Sequence, residues 1–273
     1  MKFYYAHVLH LSEKEDVTED VDEREVGSVV HKVLKMFFDP TIGKPLGPAD
    51  LHPRRLRSVI DRTFAEEYGS DLIGPAFLVK QQVTHQLEAF LQDYQIPLAK
   101  ANPVTIVGLE QDFSATSDGF RFSGRIDRIE KRGDKHVILD YKTGCDDKRL
   151  KINLSKLASD DPGSWREAIG SFQLVMYMLL YSRTQQIPLN SITPSYLFVG
   201  RNEISSKIEV DVGGGKLPPD ELYRQVYPIM VSVIKELVDD KLEFMPTDQL
   251  SKACPRCPYN VMCGTSWVAG RGA

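Results

Sequence analysis

Residues 119–142 read as two strands joined by one tight turn, and the second strand ends in charge. The segment GFRFSGRIDRIE (119–130) has the two-residue period of a strand, Gly133-Asp134 supplies turn chemistry, and KHVILDYK (135–142) resumes the strand pattern. Val137-Ile138-Leu139 reads as a buried strand that delivers Asp140 and Lys142 at its C-terminal end, where ligand sites of α/β sheets gather. Side chains alternate faces along a strand, so Asp140 and Lys142 point one way and Tyr141 the other. Asp127 sits on the preceding strand. Two carboxylates and an ammonium converging on one face are costly unless something binds there.

A divalent metal beside a phosphate is the natural occupant. Mg²⁺ takes oxygen ligands, keeps several waters and is held by one or two carboxylates plus substrate phosphate, a role that Asp127 and Asp140 fit. Such an ion polarises a scissile phosphate or activates water. Lys142 is then within reach of the same phosphate or water, where an ammonium stabilises developing negative charge. The expected chemistry is metal-dependent cleavage of a phosphodiester.

The rest of the chain is organised around this hairpin. Residues 22–38 carry a helix pattern, with Asp22 and Glu25 at capping-box spacing and Val26, Val29, Val30, Val33, Leu34 and Phe37 at helical period. Residues 40–53 are rich in Pro and Gly and read as loop. Helices are predicted over 54–68 and 75–95, the second with Val79, Val83, Leu87, Leu91 and Tyr94 on one side, and Pro97 and Pro103 close the helical region. Strands are predicted over 104–113, 119–130, 135–142, 193–199 and 206–212. One helix is predicted over 165–182, with Trp165 in a core role, and a last helix over 219–241. The reading is an α/β core with helical additions. A chain of 273 residues is long enough for one large domain.

Composition narrows the class. No apolar run approaches the roughly 18–20 residues needed to span a bilayer. The first residues lack the apolar core and small-residue cleavage site of a signal peptide, so a cytoplasmic location is expected, with no membrane partner. The net charge of −4 does not advertise nucleic-acid binding, but a local basic cluster of Lys148, Arg149, Lys151 and Lys156 follows the Asp-Tyr-Lys strand and is a candidate DNA contact. His7, His10, His52, His85 and His136 have no partner spacing and read as structural or exposed. Cys254, Cys257 and Cys263 give C-x₂-C-x₅-C, a metal-binding rather than disulfide pattern in a reducing compartment. Zinc and iron–sulfur clusters each take four ligands as a rule, and no fourth lies nearby; Cys145 reads as a bystander.

Four motifs in order resemble one family, the PD-(D/E)XK nuclease superfamily in its RecB/AddB-like branch, over nearly the whole chain. They are Gly27-x-x-x-His31, Gly124-x-x-Asp127, Asp140-Tyr-Lys142-Thr-Gly144 and Gln173-x-x-x-Tyr177. The resemblance implies a restriction-endonuclease-like core, a mixed central sheet flanked by helices, with an N-terminal helical region (1–103), a nuclease core (104–217) and a C-terminal helix with a cysteine tail (218–273), all one integrated domain. It implies that Asp127, Asp140, Lys142, Gln173 and Tyr177 are catalytic. It assigns His31, Asp127, Asp140, the backbone carbonyl of Tyr141 and Glu110 as ligands of Mg²⁺ or Mn²⁺. Gly27 is expected to let its helix approach the sheet closely.

The iron–sulfur members of this branch carry a 4Fe-4S cluster on three C-terminal cysteines and one far upstream, in a stretch that Met1-Lys2-Phe3-Tyr4-Tyr5 resembles from its third position onward. The resemblance therefore implies that Cys254, Cys257 and Cys263 are cluster ligands, that the chain is a fragment of a larger protein cut just after the first ligand, and that the cluster is incomplete or absent in it. The implied function is single-strand DNA exonuclease, the nuclease domain of a helicase–nuclease in double-strand-break repair, with a helicase domain or subunit as partner. A CRISPR-associated iron–sulfur exonuclease and a DNA-binding module without catalysis are the alternatives, and a zinc-stabilised interaction domain rests on the cysteines alone.

Overall fold

A computed structural model describes residues 2–11, 23–144, 150–213, 217–247, 249–255 and 257–268. Asp22, Cys145, Lys148 and Arg149 lie outside the described residues. The chain divides into two compact units, one of residues 1–19 and 233–273 and one of residues 20–232.

The larger unit opens with α1 (Glu23–Phe38), whose Val29, Val30, Val33, Leu34, Phe37 and Phe38 are buried, the stripe its period predicts. Helix α2 (Pro53–Tyr68) packs beside it, capped by His52, which accepts a hydrogen bond from the Arg54 N–H, and closed by Gly69 at φ +88°. Helix α3 (Gly74–Ala89) follows and buries Val83 and Leu87. Pro97 does not stop this helical region. The chain widens into a π-helical turn at Phe90–Gln95 and continues through Pro97 as α4 (Ile96–Ala101), ending before Pro103. Pro97 falls in the first turn of α4, where a missing N–H is least costly.

Five strands make one mixed sheet in the order β1-β2-β3-β4-β5. Strands β1 (Val104–Ser117), β2 (Phe120–Arg132) and β3 (Lys135–Lys142) form an antiparallel meander, the last two joined by the turn at Gly133-Asp134 with Gly133 at φ +63°. The β1–β2 register shifts at Val107 through a bulge. Strand β4 (Ile192–Phe198) runs parallel to β3, and β5 (Glu209–Asp211) closes the edge antiparallel to β4. Parallel pairing requires a crossover, supplied by α5 (Pro162–Ala168) and α6 (Gln173–Gln185), the latter packing on β1, β2, β3 and β4. This is the α/β restriction-endonuclease-like architecture expected.

Further expectations are corrected. The single helix predicted over 165–182 is broken between α5 and α6. Ile152 and Ile169 form an isolated antiparallel bridge, Gly170 donates to the Lys151 carbonyl at 3.0 Å, and the Gln173 N–H starts α6 on the Ser171 hydroxyl at 3.1 Å. Trp165 is accordingly only half-buried, its indole N–H donating to the Ala158 carbonyl at 3.0 Å. The strand predicted over 206–212 shrinks to β5, because Ser205 caps a 3₁₀ turn at Ser206–Ile208. Strand β1 runs four residues beyond its predicted end at 113, to Ser117.

Part of the core is ionic. Arg128 and Glu130 are fully buried and paired; Arg132 reaches Glu130 at 2.6 Å and Glu209 of β5 at 2.9 Å, and Tyr94 from the π-helical turn pairs with Glu209. The Arg128 guanidinium lies 4.2 Å from the Phe38 ring centroid and 3.5 Å from the Tyr141 hydroxyl. Burial alone costs such groups several kcal/mol each, so each depends on its partners.

The smaller unit gathers aromatics and sulfur. Its members are a π-helical turn at Tyr4–Val8, the end of α7 (Pro219–Val238), and the short α8 (Leu250–Ala253) with the tail after it. Tyr259 donates to the Leu11 carbonyl at 2.7 Å, and Phe244 stacks on Phe3.

Gly200, just past β4, is the tightest glycine among those described. A Cβ there would lie 1.7 Å from the Thr143 carbonyl oxygen. Gly200→Ala is expected to destabilise the fold by at least about 2 kcal/mol, because backbone rather than a flexible side chain must yield. Urea denaturation of the two chains measures this.

Candidate active site

The site forms where β1, β2 and β3 meet helices α1 and α6. Asp127 and Asp140 stand on neighbouring strands; Asp127 is 7 % exposed and Asp140 2 %. The Tyr141 N–H donates to Asp127 Oδ2 at 2.7 Å, which leaves Oδ1 for other partners. His31 of α1 brings Nδ1 within 3.6 Å of that Oδ1 and 3.2 Å of Glu110 Oε1. Its ring meets Tyr141 edge-on at 5.5 Å. One ligand atom each from His31, Glu110 and Asp127 lie within 4.8 Å of one another.

Glu110 occupies an unusual position. It has φ +47° in the interior of β1, shortly after the Val107 bulge. A glutamate in the left-handed region costs about 1–3 kcal/mol and persists only where its surroundings enforce it. Bulges re-aim side chains next to sites, and here the Glu110 carboxylate reaches His31.

A second set of contacts runs from β3 into α6. Asp140 pairs with Lys142 at 2.5 Å; Lys142 Nζ donates to Gln173 Oε1 at 3.1 Å; Gln173 Nε2 donates to the Tyr177 hydroxyl at 3.0 Å. Gly124 permits this approach, since a Cβ there would lie 3.1 Å from Tyr177 and 3.2 Å from Leu180 and Met176. Gly27 is not under the same demand: a Cβ there would meet only the Thr143 hydroxyl at 3.4 Å, an ordinary contact, which corrects the close approach expected of it.

The electrostatics are those of a site with too much negative charge. Burial and the neighbouring Asp140 push the Asp127 carboxyl up to about 7, against the opposing effects of His31 and the Tyr141 N–H. Burial also raises Asp140, opposed by Lys142. Burial lowers His31, but its hydrogen bond with Glu110 and the fields of Asp127, Glu110 and Asp140 outweigh that and leave it raised. Among the described residues, three carboxylates face one ammonium and one imidazole. A nitrogen and several hard oxygens, half-buried and short of positive charge, fit a divalent cation.

The structure thus brings together His31, Glu110, Asp127, Asp140, Lys142, Gln173 and Tyr177, with the Tyr141 main chain beside Asp127. Lys151 and Lys156 are exposed around the turn at Leu154–Lys156. Cys254 is buried, Cys257 half-buried, and exposed Cys263 lies 3.7 Å from the Tyr5 hydroxyl. Among the described residues these three thiols do not form a group as tight as that around His31. Two residues that sequence reasoning passed over are Gly200 and Tyr196, both on or beyond β4, whose pairing with β3 no local pattern announces. Tyr196 pairs with Asp140 in the parallel register, and Gly200 abuts Thr143.

This fold and this constellation define a PD-(D/E)XK-type nuclease site. The chain matches the PD-(D/E)XK nuclease superfamily over residues 1–264 and belongs to it. Members of that family cleave nucleic acid with divalent metal ions, so the chain is a nuclease and the acidic cluster with His31 its candidate metal site. No curated protein matches the chain. No helix among the described residues is long and apolar enough to cross a membrane.

Raised acids fix the sign of a pH dependence. The folded chain holds a proton on Asp127 to about pH 7, whereas an unfolded aspartate releases it near about 4. The folded state binds more protons across that window, so stability falls as pH rises through it. Raised His31 and Asp140 act in the same direction. Thermal melts with chelator present are expected to show Tm declining from pH 5 to pH 8, with Mg²⁺ offsetting the decline at pH 8 and Asp127→Asn flattening it.

Proposed function

We propose that the chain is a Mg²⁺- or Mn²⁺-dependent deoxyribonuclease acting exonucleolytically on single-stranded ends, the nuclease part of a RecB/AddB-like helicase–nuclease in double-strand-break repair. The observation that carries the nuclease chemistry is the junction of two sets of side chains. His31, Glu110 and Asp127 cluster on one side, and Asp140, Lys142, Gln173 and Tyr177 form a continuous series on the other. The order of the four motifs supports the RecB/AddB-like assignment.

In this reading His31, Asp127, Asp140, the Tyr141 carbonyl and Glu110 hold the ion, which when bound polarises a phosphate oxygen and acidifies water. Lys142 presents its ammonium to the charge that builds on the phosphate. Gln173 fixes that ammonium through its amide oxygen while its amide nitrogen is held by Tyr177, so the donor is aimed before substrate arrives. Lys151 and Lys156, with Lys148 and Arg149, hold the DNA backbone, making affinity fall log-linearly with salt and leaving it indifferent to base sequence. The thiols of Cys254, Cys257 and Cys263 supply three ligands of a 4Fe-4S cluster. Support for that lies in their spacing and in Tyr5, from the segment resembling the upstream ligand stretch, lying beside Cys263.

The test is digestion of end-labelled single-stranded DNA with Mg²⁺ or Mn²⁺, wild type beside Lys142→Ala. Metal-dependent shortening is expected, lowered at least ~10²-fold in the variant with DNA binding retained. Equal cleavage by both chains overturns the role of Lys142, and shortening that survives chelation overturns the metal dependence.

A further inference from the structure

Lys142 is held on three sides, and the third side belongs to no motif. Asp140 and Gln173 supply oxygens to its ammonium. The ring of Tyr196 lies 5.3 Å from Nζ, measured to the ring centroid, within the range over which an aromatic face attracts a cation. Tyr196 is 2 % exposed and the Lys142 side chain 26 %, so the ring is shielded from water while the ammonium stays at the edge of the site. Its position is fixed by backbone: in the parallel β3–β4 ladder Tyr196 pairs with Asp140 and Phe198 with Lys142. The Tyr196 and Phe198 rings meet at 6.3 Å and 60°, which limits rotation of the Tyr196 ring.

We infer that Tyr196 is a positioning residue for Lys142, its ring face forming a platform that keeps the ammonium aimed at the reacting phosphate. The inference rests on the reading of Lys142 as a catalytic ammonium. The platform differs in kind from the other two contacts. Asp140 serves two masters, since the carboxylate that pairs with Lys142 is also a candidate metal ligand. Gln173 stands at the first residue of α6 and depends on where that helix begins. The ring stands in the middle of a central strand and has no competing partner for its face among the described ring contacts. An aliphatic side chain at 196 fills space but offers the ammonium no negative face, so the ring rather than the bulk is what Lys142 requires.

Two measurements on the full chain test this. Lysines labelled with ¹³C at Cε are observed by NMR without metal or DNA, and the Lys142 signal is assigned by its loss in Lys142→Ala. Ring current from Tyr196 is expected to place the Lys142 Hε protons upfield of the other lysines in wild type and in Tyr196→Phe, and at the ordinary position in Tyr196→Leu. In steady-state cleavage, Tyr196→Leu is expected to lower kcat roughly tenfold per folded molecule with KM for DNA unchanged, and Tyr196→Phe to restore kcat to within about twofold. An unshifted Lys142 signal in wild type overturns the inference whether or not the variants fold. A kcat unchanged in Tyr196→Leu also overturns it, leaving Tyr196 a packing residue whose loss lowers Tm alone. A shifted signal in a wild-type chain that cleaves nothing preserves the platform and instead sinks the nuclease reading.

Discussion

Mutual repulsion among three carboxylates is the constraint around which this protein is built. Glu110, Asp127 and Asp140 come from three adjacent strands, and two of them are nearly excluded from water. In low dielectric such charges cannot all persist without compensation. The fold answers with what it has: the Tyr141 N–H on Asp127, Lys142 on Asp140, and His31 between Glu110 and Asp127. Each answer demands a structural element in a definite place. Helix α1 must bring His31 to the sheet, β3 must run next to β2, and α6 must carry Gln173 to the lysine. The compensation is partial, and the remaining acidity is the affinity for a cation. A site optimised for the stability of the empty chain would have replaced one carboxylate with an amide.

Most of the site was legible in the sequence because it is encoded locally. A period of two around Gly133-Asp134 predicts the hairpin, and the hairpin puts Asp127, Asp140 and Lys142 side by side. The helices of Gln173 and His31 are read from their periods, though not their contacts, which came from resemblance. What was not legible depends on pairing across long separations. The break before α6 arises because Ile152 and Ile169 bridge, and an apolar period running through Gly170-Ser171 conceals it. The demand on Gly200 and the platform at Tyr196 both follow from β4 lying parallel to β3, which no turn residue marks. Arg128 shows the same limit from the other side. Next to Asp127 in sequence, it invites pairing with the acids of the site, but the alternation of β2 sends it to the Tyr141 hydroxyl and Glu130.

The lysine and the acids are supported by unequal means. Asp127 is oriented by a main-chain N–H, which among substitutions only proline removes. Among the described residues, Lys142 is oriented by side chains, each of them a single substitution from loss. Precision in the first is inherited from the sheet, whereas precision in the second is assembled residue by residue on top of it. The same fold can therefore retain its acidic pocket while losing the aim of its ammonium.

The ionic group of Arg128, Glu130, Arg132 and Glu209, fully buried at its first two members, carries a consequence for descent. Its four formal charges sum to zero, and removing Glu130 strands the fully buried Arg128 where water cannot reach it, at a cost of about 3–5 kcal/mol against a total stability of only about 5–15. Loss of Glu130 alone is thus close to lethal for folding, while a concerted exchange of the Arg128–Glu130 pair for apolar residues of similar volume is tolerated. In lineages related to this chain positions 128 and 130 should be inherited together, either both ionic or both replaced, with intermediates rare.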